Sequence, residues 1–149
     1  SCLVGSEMCI RDSGTLMHRI LSQIETLDRV DDTIAAFVRS GELSESESKS
    51  IREDINRWLA DERVSSWFSP GVNVWTEREI LQPDGSFYRP DRVVETDNEV
   101  IVVDYKFGNV ERASYKRQVN TYTSLIEKMG YDRVSGFIWY VSLGKLERV

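Results

Sequence analysis

The sequence predicts a mixed α/β fold of the α+β kind, a mixed β-sheet flanked by helices with an N-terminal helical cap. Three observations predict it. Apolar residues up to about position 68 recur mostly at helical spacing. From Val72 the pattern switches to alternating and β-branched runs separated by turn chemistry. A single later helical stretch, Arg112–Met129, interrupts the strands, giving the order β-β-β-α-β, which a sheet carrying packed helices satisfies.

The elements follow in order. Leu16, Ile20, Leu21 and Ile24 predict a helix from Gly14 to about Thr26. Val30, Ile34, Phe37 and Val38 predict a second over Asp28–Arg39, stopped at Ser40-Gly41. The third, Ser44–Ala60, opens on a Ser/Glu-rich turn suited to capping and carries Ile51, Ile55, Trp58 and Leu59 on one face. A short helix over Arg63–Phe68 closes at Ser69-Pro70-Gly71. Val72–Leu81 alternates as a first strand, and Gln82-Pro83-Asp84-Gly85 is a turn. Phe87–Glu95 reads as the second strand, with Thr96-Asp97-Asn98 as a hairpin turn. The β-branched run Val100–Val103 predicts a strand buried on both faces. Val134–Ser142 and an edge strand at Lys145–Val149 follow the last helix, which stops at Gly130.

Composition sets bounds. The 149 residues suit one ordinary domain, 40% hydrophobic and 30% charged. No apolar run approaches a membrane span, so no membrane partner is expected, and the start shows no secretory pattern. The net charge of −6 is unlike that of a general nucleic-acid coat. The acid excess sits early: residues 1–70 hold 8 Lys/Arg against 13 Asp/Glu, and residues 71–149 hold 11 against 12.

Chemistry concentrates in Pro90-Asp91 and Asp104-Tyr105-Lys106, which lie on neighbouring predicted strands. Positions i and i+2 of a strand share a face, so Asp104 and Lys106 project together while Tyr105 faces away. Two carboxylates and an ammonium converging on one spot suit a divalent metal and a water beside a phosphate, the chemistry of phosphodiester hydrolysis. Asp104 closes an apolar run, where a lone charge is costly without a partner. Asp91 is the second ligand, its alternative being a charge paired with Arg89 or Arg92. Hard oxygen donors suit Mg²⁺ or Mn²⁺. Lys106 is read as a cation that positions water and offsets charge on the phosphate rather than as a pure general base. Trp75, Trp139 and Tyr140 are read as core or rim aromatics rather than base-stacking platforms.

Residues 3–13, Leu-Val-Gly-Ser-Glu-Met-Cys-Ile-Arg-Asp-Ser, resemble a conceptual translation of a sequencing-library transposon adapter. On that reading residues 1–13 are an artefact and a longer gene was cut at Gly14. The domain is then 14–149, with a helical part 14–70 and a catalytic sheet and helix 71–149. Both cysteines, Cys2 and Cys9, fall in the excluded stretch, so no iron–sulfur cluster is expected.

Pro90-Asp91 with Asp104-Tyr105-Lys106 resembles the PD-(D/E)XK signature of the restriction-endonuclease-like nucleases. Gly14-Thr15-Leu16-Met17-His18 is similar to the Gly-x-x-x-His helix of RecB-type nuclease domains. Asp104-Tyr105-Lys106-Phe107-Gly108 resembles their Asp-Tyr-Lys-Thr-Gly segment, with Phe for Thr, and Gln118-x-x-x-Tyr122 their Gln-x-x-x-Tyr helix. The chain thus looks like the C-terminal nuclease domain of an AddA-like helicase–nuclease of the UvrD/RecB type.

The resemblance implies a restriction-endonuclease-like fold and a Mg²⁺-dependent DNA exonuclease for double-strand break repair and recombination. It implies metal ligation by His18, Asp91, Asp104 and the Tyr105 backbone carbonyl, with Asp91, Asp104 and Lys106 catalytic. On its own, His18 reads as an ordinary surface or core histidine. Gln118 and Tyr122, one helical turn apart, would touch DNA or brace the site, and Glu77 would add an extra acid. DNA ends are the expected partner, with a second helicase–nuclease subunit beside it and ATP used only in the absent helicase part. The expected location is the bacterial cytoplasm, at the nucleoid. Two alternatives stay open: a catalytically inactive bracing or DNA-binding module, and a stand-alone RecB-like exonuclease.

Overall fold

The computed structural model describes residues 6–75, 79–108 and 110–149, with side chains from Gly14 onward. The chain divides into two compact units, Ser1–Pro70 and Gly71–Val149. Among the described residues no helix is long and apolar enough to cross a membrane.

The first unit is helical: α1 (Ser6–Gln23), α2 (Val30–Arg39), α3 (Glu45–Leu59) and the single turn α4 (Glu62–Ser65). Helix α1 extends back to Ser6, beyond the predicted start at Gly14, and ends before Thr26. A 3₁₀ turn, Leu27–Arg29, forms what was expected to be the first turn of α2. Ser44 caps α3: its Oγ accepts from the Glu47 amide at 3.2 Å and donates to Glu47 Oε1 at 2.6 Å. That arrangement satisfies a backbone donor left over at the helix start, worth about 1 kcal/mol. The helical stripes meet in a buried set that includes Ile20, Ile34, Phe37, Ile55, Leu59 and Phe68.

The second unit holds a five-stranded sheet in the order β1-β4-β5-β6-β7 and a separate two-stranded ribbon, β2-β3. The strands are β1 (Asn73–Trp75), β2 (Ile80–Leu81), β3 (Phe87–Tyr88), β4 (Arg92–Glu95), β5 (Val100–Lys106), β6 (Val134–Tyr140) and β7 (Lys145–Arg148). Among the described residues only β5 and β6 pair in parallel, and the helix α5 (Ala113–Lys128) joins them. A parallel pair needs such a crossover, whereas the antiparallel β4-β5 pair needs only the turn at residues 96–99. There the Thr96 amide donates to the Glu99 carbonyl at 2.9 Å.

Two predicted strands are each broken in two. The expected strand Val72–Leu81 becomes β1 of the main sheet and β2 of the ribbon, and residues 76–78, including Glu77, lie outside the described residues. The expected strand Phe87–Glu95 becomes β3 and β4, separated by Arg89-Pro90-Asp91. Pro90 has no N–H to give to a ladder and a fixed φ, so pairing stops there and the chain passes from ribbon to sheet. The ribbon closes through the predicted turn, where Gly85 takes a φ of +88° and its amide donates to the Gln82 carbonyl at 2.9 Å. The predicted strand Val134–Ser142 ends at Tyr140 and gives way to a 3₁₀ turn, Val141–Leu143.

Helix α5 packs on one face of the sheet over Val93, Val100, Val102, Ile138 and Tyr140, burying its own Val119, Tyr122 and Ile126. The contact is close because β6 carries Gly136 beneath the helix. A Cβ at that position would lie 2.6 Å from Val119 Cγ1 and 3.1 Å from Thr123 Cγ2.

Candidate active site

Asp104 is the fifth residue of β5 and is 3% exposed. The register Arg92↔Val103, continued by one residue, sets Asp91 directly across from it at the entrance to β4. Like charges opposed in a sheet repel, yet here each carboxylate takes a backbone amide from the other strand. The Asp91 N–H donates to Asp104 Oδ1 at 3.1 Å, and the Tyr105 N–H donates to Asp91 Oδ2 at 2.8 Å. The two acids are thereby clamped to one another's backbone. Asp104 Oδ2 accepts a third bond, at 2.8 Å, from the hydroxyl of Tyr88 on the ribbon.

This packing has an electrostatic cost. Burial first, and then the charge of Asp91, push the Asp104 carboxyl up to about 6, against the opposing pull of Lys106 and of the bonds from Tyr88 and the Asp91 amide. Burial and the charge of Asp104 also drive the Tyr88 phenol far above its ordinary range, so it stays a donor.

Strand alternation separates the neighbours as expected. Tyr105 packs edge-on against Trp139, with ring centroids 5.7 Å apart, on the face away from Asp104. Arg92, 4% exposed and paired with Val103, lies on that side, its charge opposing the effect of burial on the Tyr105 phenol. Lys106 shares the Asp104 face. Its half-buried chain places Nζ 4.2 Å from the centre of the Tyr115 ring, within cation–π range.

Helix α5 completes the arrangement. Tyr115, Gln118 and Tyr122 recur at i, i+3 and i+7 on one face. Tyr122 is buried and meets Tyr88 edge-on at 6.0 Å, and the half-buried Gln118 lies between the two tyrosines along the helix. The structure thus brings together Asp91, Asp104, Lys106 and, through Tyr88, Tyr122. His18 is half-buried on α1 of the helical unit, where its carbonyl accepts from Ser22 Oγ, and its assignment as a ligand stands on the motif resemblance. For Tyr105, the described backbone contact with the acids is through its amide, and ligation by its carbonyl rests on the resemblance. Trp139 and Tyr140 are each 1% exposed, in keeping with core packing. Trp75 is tied to Glu95 by its indole N–H at 2.8 Å.

Tyr88 and Tyr115 were not among the sequence-based candidates. The alternation of Phe87-Tyr88 hints at a strand, but which side chain meets Asp104 depends on where the ribbon folds.

The donor set fits a divalent cation. Among the described residues no three His, Cys, Asp or Glu side chains cluster as a complete cage. Mg²⁺ commonly takes one or two carboxylates and completes its octahedron with water and phosphate oxygens. Two opposed carboxylates, one of them held above its ordinary range by burial and its neighbour's charge, supply such a pair.

No curated protein matches the chain. The family model of the PD-(D/E)XK nuclease superfamily matches residues 5–149. With that match spanning nearly the whole chain, and with its Pro90-Asp91 and Asp104-Tyr105-Lys106 pieces adjoining across β4 and β5 of a mixed sheet, the chain belongs to the PD-(D/E)XK nuclease superfamily.

Proposed function

We propose that the domain is a Mg²⁺- or Mn²⁺-dependent deoxyribonuclease that trims DNA ends as the nuclease part of a helicase–nuclease in double-strand break repair. The observation that carries the hydrolytic reading is the clamped Asp91–Asp104 pair with Lys106 on the same strand face. Asp91 and Asp104 would hold the ion, with His18 and the Tyr105 carbonyl added as ligands from the motif alone. When bound, the ion supplies Lewis-acid stabilisation of the phosphate and lowers the pKa of a water. In the reaction a water oxygen bonds to phosphorus and gives up a proton to solvent, one bridging P–O bond breaks, and the departing alkoxide takes a proton from solvent. Lys106 positions that water and offsets charge building on the phosphate oxygens. The Tyr115 ring, 4.2 Å from Lys106 Nζ, restrains the lysine chain. On the same α5 face, Tyr122, buried against Tyr88, would brace the site, and the half-buried Gln118 would brace it or touch the DNA backbone.

The helicase context is supported by the Gly14…His18, Asp104–Gly108 and Gln118…Tyr122 resemblances, and motor sequences upstream in the gene are the expected finding. The activity is tested by incubating linear DNA with the purified chain in Mg²⁺, in Mn²⁺ and in chelator. Metal-dependent cleavage, lost in Asp104→Ala and Lys106→Ala, is expected. Absence of cleavage from a folded chain would leave a silent bracing module as the better reading.

A further inference from the structure

Tyr88 stands outside both pieces of the signature, on a ribbon separate from the main sheet, yet its hydroxyl ends on a carboxylate oxygen of Asp104. The ring is 7% exposed and is seated between β3 and α5 by its edge contact with Tyr122 and by packing in the core cluster. Its ribbon partner Ile80 packs against the same cluster, whereas Leu81 and Phe87, the other cross-strand pair, are 65% and 66% exposed. The ribbon is therefore two-sided, and its inner side delivers a single phenol to the acid pair.

We propose that Tyr88 is a positioning residue for the metal site, its hydroxyl fixing the orientation in which Asp104 presents its carboxylate to a divalent cation. This rests on the metal-dependent reading above. The geometry gives the reason. Asp104 Oδ1 is fixed by the Asp91 amide and Oδ2 by the Tyr88 hydroxyl, so the carboxylate plane has two anchors, one from each side of the Pro90 break. Without the phenol one anchor is lost, and Oδ2 is left buried without that donor. Hydrogen-bond partners that orient a metal-binding side chain raise affinity by about 10–100-fold.

The test is Mn²⁺ binding to the whole chain, measured by calorimetry without DNA. Tyr88→Phe keeps the ring and removes the donor, and para-aminophenylalanine placed at position 88 keeps the ring and restores a donor. The expected result is an affinity weakened about 10–100-fold in Tyr88→Phe and recovered to within about threefold by the amino analogue. In cleavage assays the Mg²⁺ concentration needed for half-maximal rate rises in Tyr88→Phe, while the rate at saturating Mg²⁺ largely returns. Wild-type affinity in Tyr88→Phe, or equal weakness in both variants, overturns the positioning role. Asp104→Ala separates this from the wider reading: unchanged Mn²⁺ binding there overturns the metal site itself, and this inference with it.

Discussion

In the metal-free protein, Asp104→Asn should gain stability relative to wild type between acid and neutral pH. Asparagine matches aspartate in shape but carries no charge, so the substitution isolates the cost of ionising a buried carboxylate across from Asp91. That carboxyl moves from 3.8 to about 6 on folding. At about 1.4 kcal/mol per tenfold change in the proton equilibrium, the ionised native state carries a burden of roughly 3 kcal/mol. The sign follows from proton binding. Between about pH 4 and about pH 6 the native state holds a proton at Asp104 that the unfolded chain has released, so wild-type stability falls across that window and the loss is complete above it. The substituted side chain would also place an amide donor against Tyr88 or the Asp91 amide, a mismatch of about 1–3 kcal/mol that does not depend on pH. Comparing two pH values cancels that mismatch and the titration of carboxylates remote from Asp104, so the difference reports the Asp91–Asp104 pair. Urea unfolding in chelator, at about pH 4 and about pH 7, should show the variant gaining roughly 3 kcal/mol on wild type between the two conditions. A difference that stays constant with pH would refute the claim that Asp104 is buried as a strained carboxylate.

Three further outcomes are expected. If Asp104 holds the ion as proposed, a proton there competes with it, and apparent Mg²⁺ affinity should fall about tenfold per pH unit below about pH 6, measured by calorimetry or by the Mg²⁺ dependence of cleavage. Lys106→Met should lower the cleavage rate about 10²–10³-fold, with a melting curve that changes little. Gly136→Ala should cost about 1–3 kcal/mol in urea unfolding, because its methyl group would meet Val119 Cγ1 at 2.6 Å, and Val119→Ala should recover part of the loss.

Much of the candidate site was legible in the sequence. Val100–Val103 is β-branched and uninterrupted, and only a strand buried on both faces accommodates such a run, so Asp104 and Lys106 had to emerge on one side of it. The fold class followed from the change of period near residue 71, and the structure shows the mixed sheet with helices that this implied. The broken strands were less legible. Alternation across Val72–Leu81 and Phe87–Glu95 persists through the break, because a ribbon and a sheet impose the same two-residue period. Pro90 interrupts the pairing, but its place in the signature accounts for it equally well in the sequence.

What the sequence determined by itself was local: helices and strands from their periods, turns from Pro83, Gly85 and Asn98, and an acid, an acid and a lysine at spacings that match adjoining strands. These are properties of neighbours along the chain. Tertiary structure alone decided the clamp of the Asp91 and Asp104 carboxylates on each other's backbone amides, the approach of α5 allowed by Gly136, and the Tyr88 phenol on Asp104. Each joins residues 13 to 17 positions apart, and its geometry depends on strand register and on a ribbon that turns away at Pro90. No local preference encodes those distances, because they arise only when separate elements share a core.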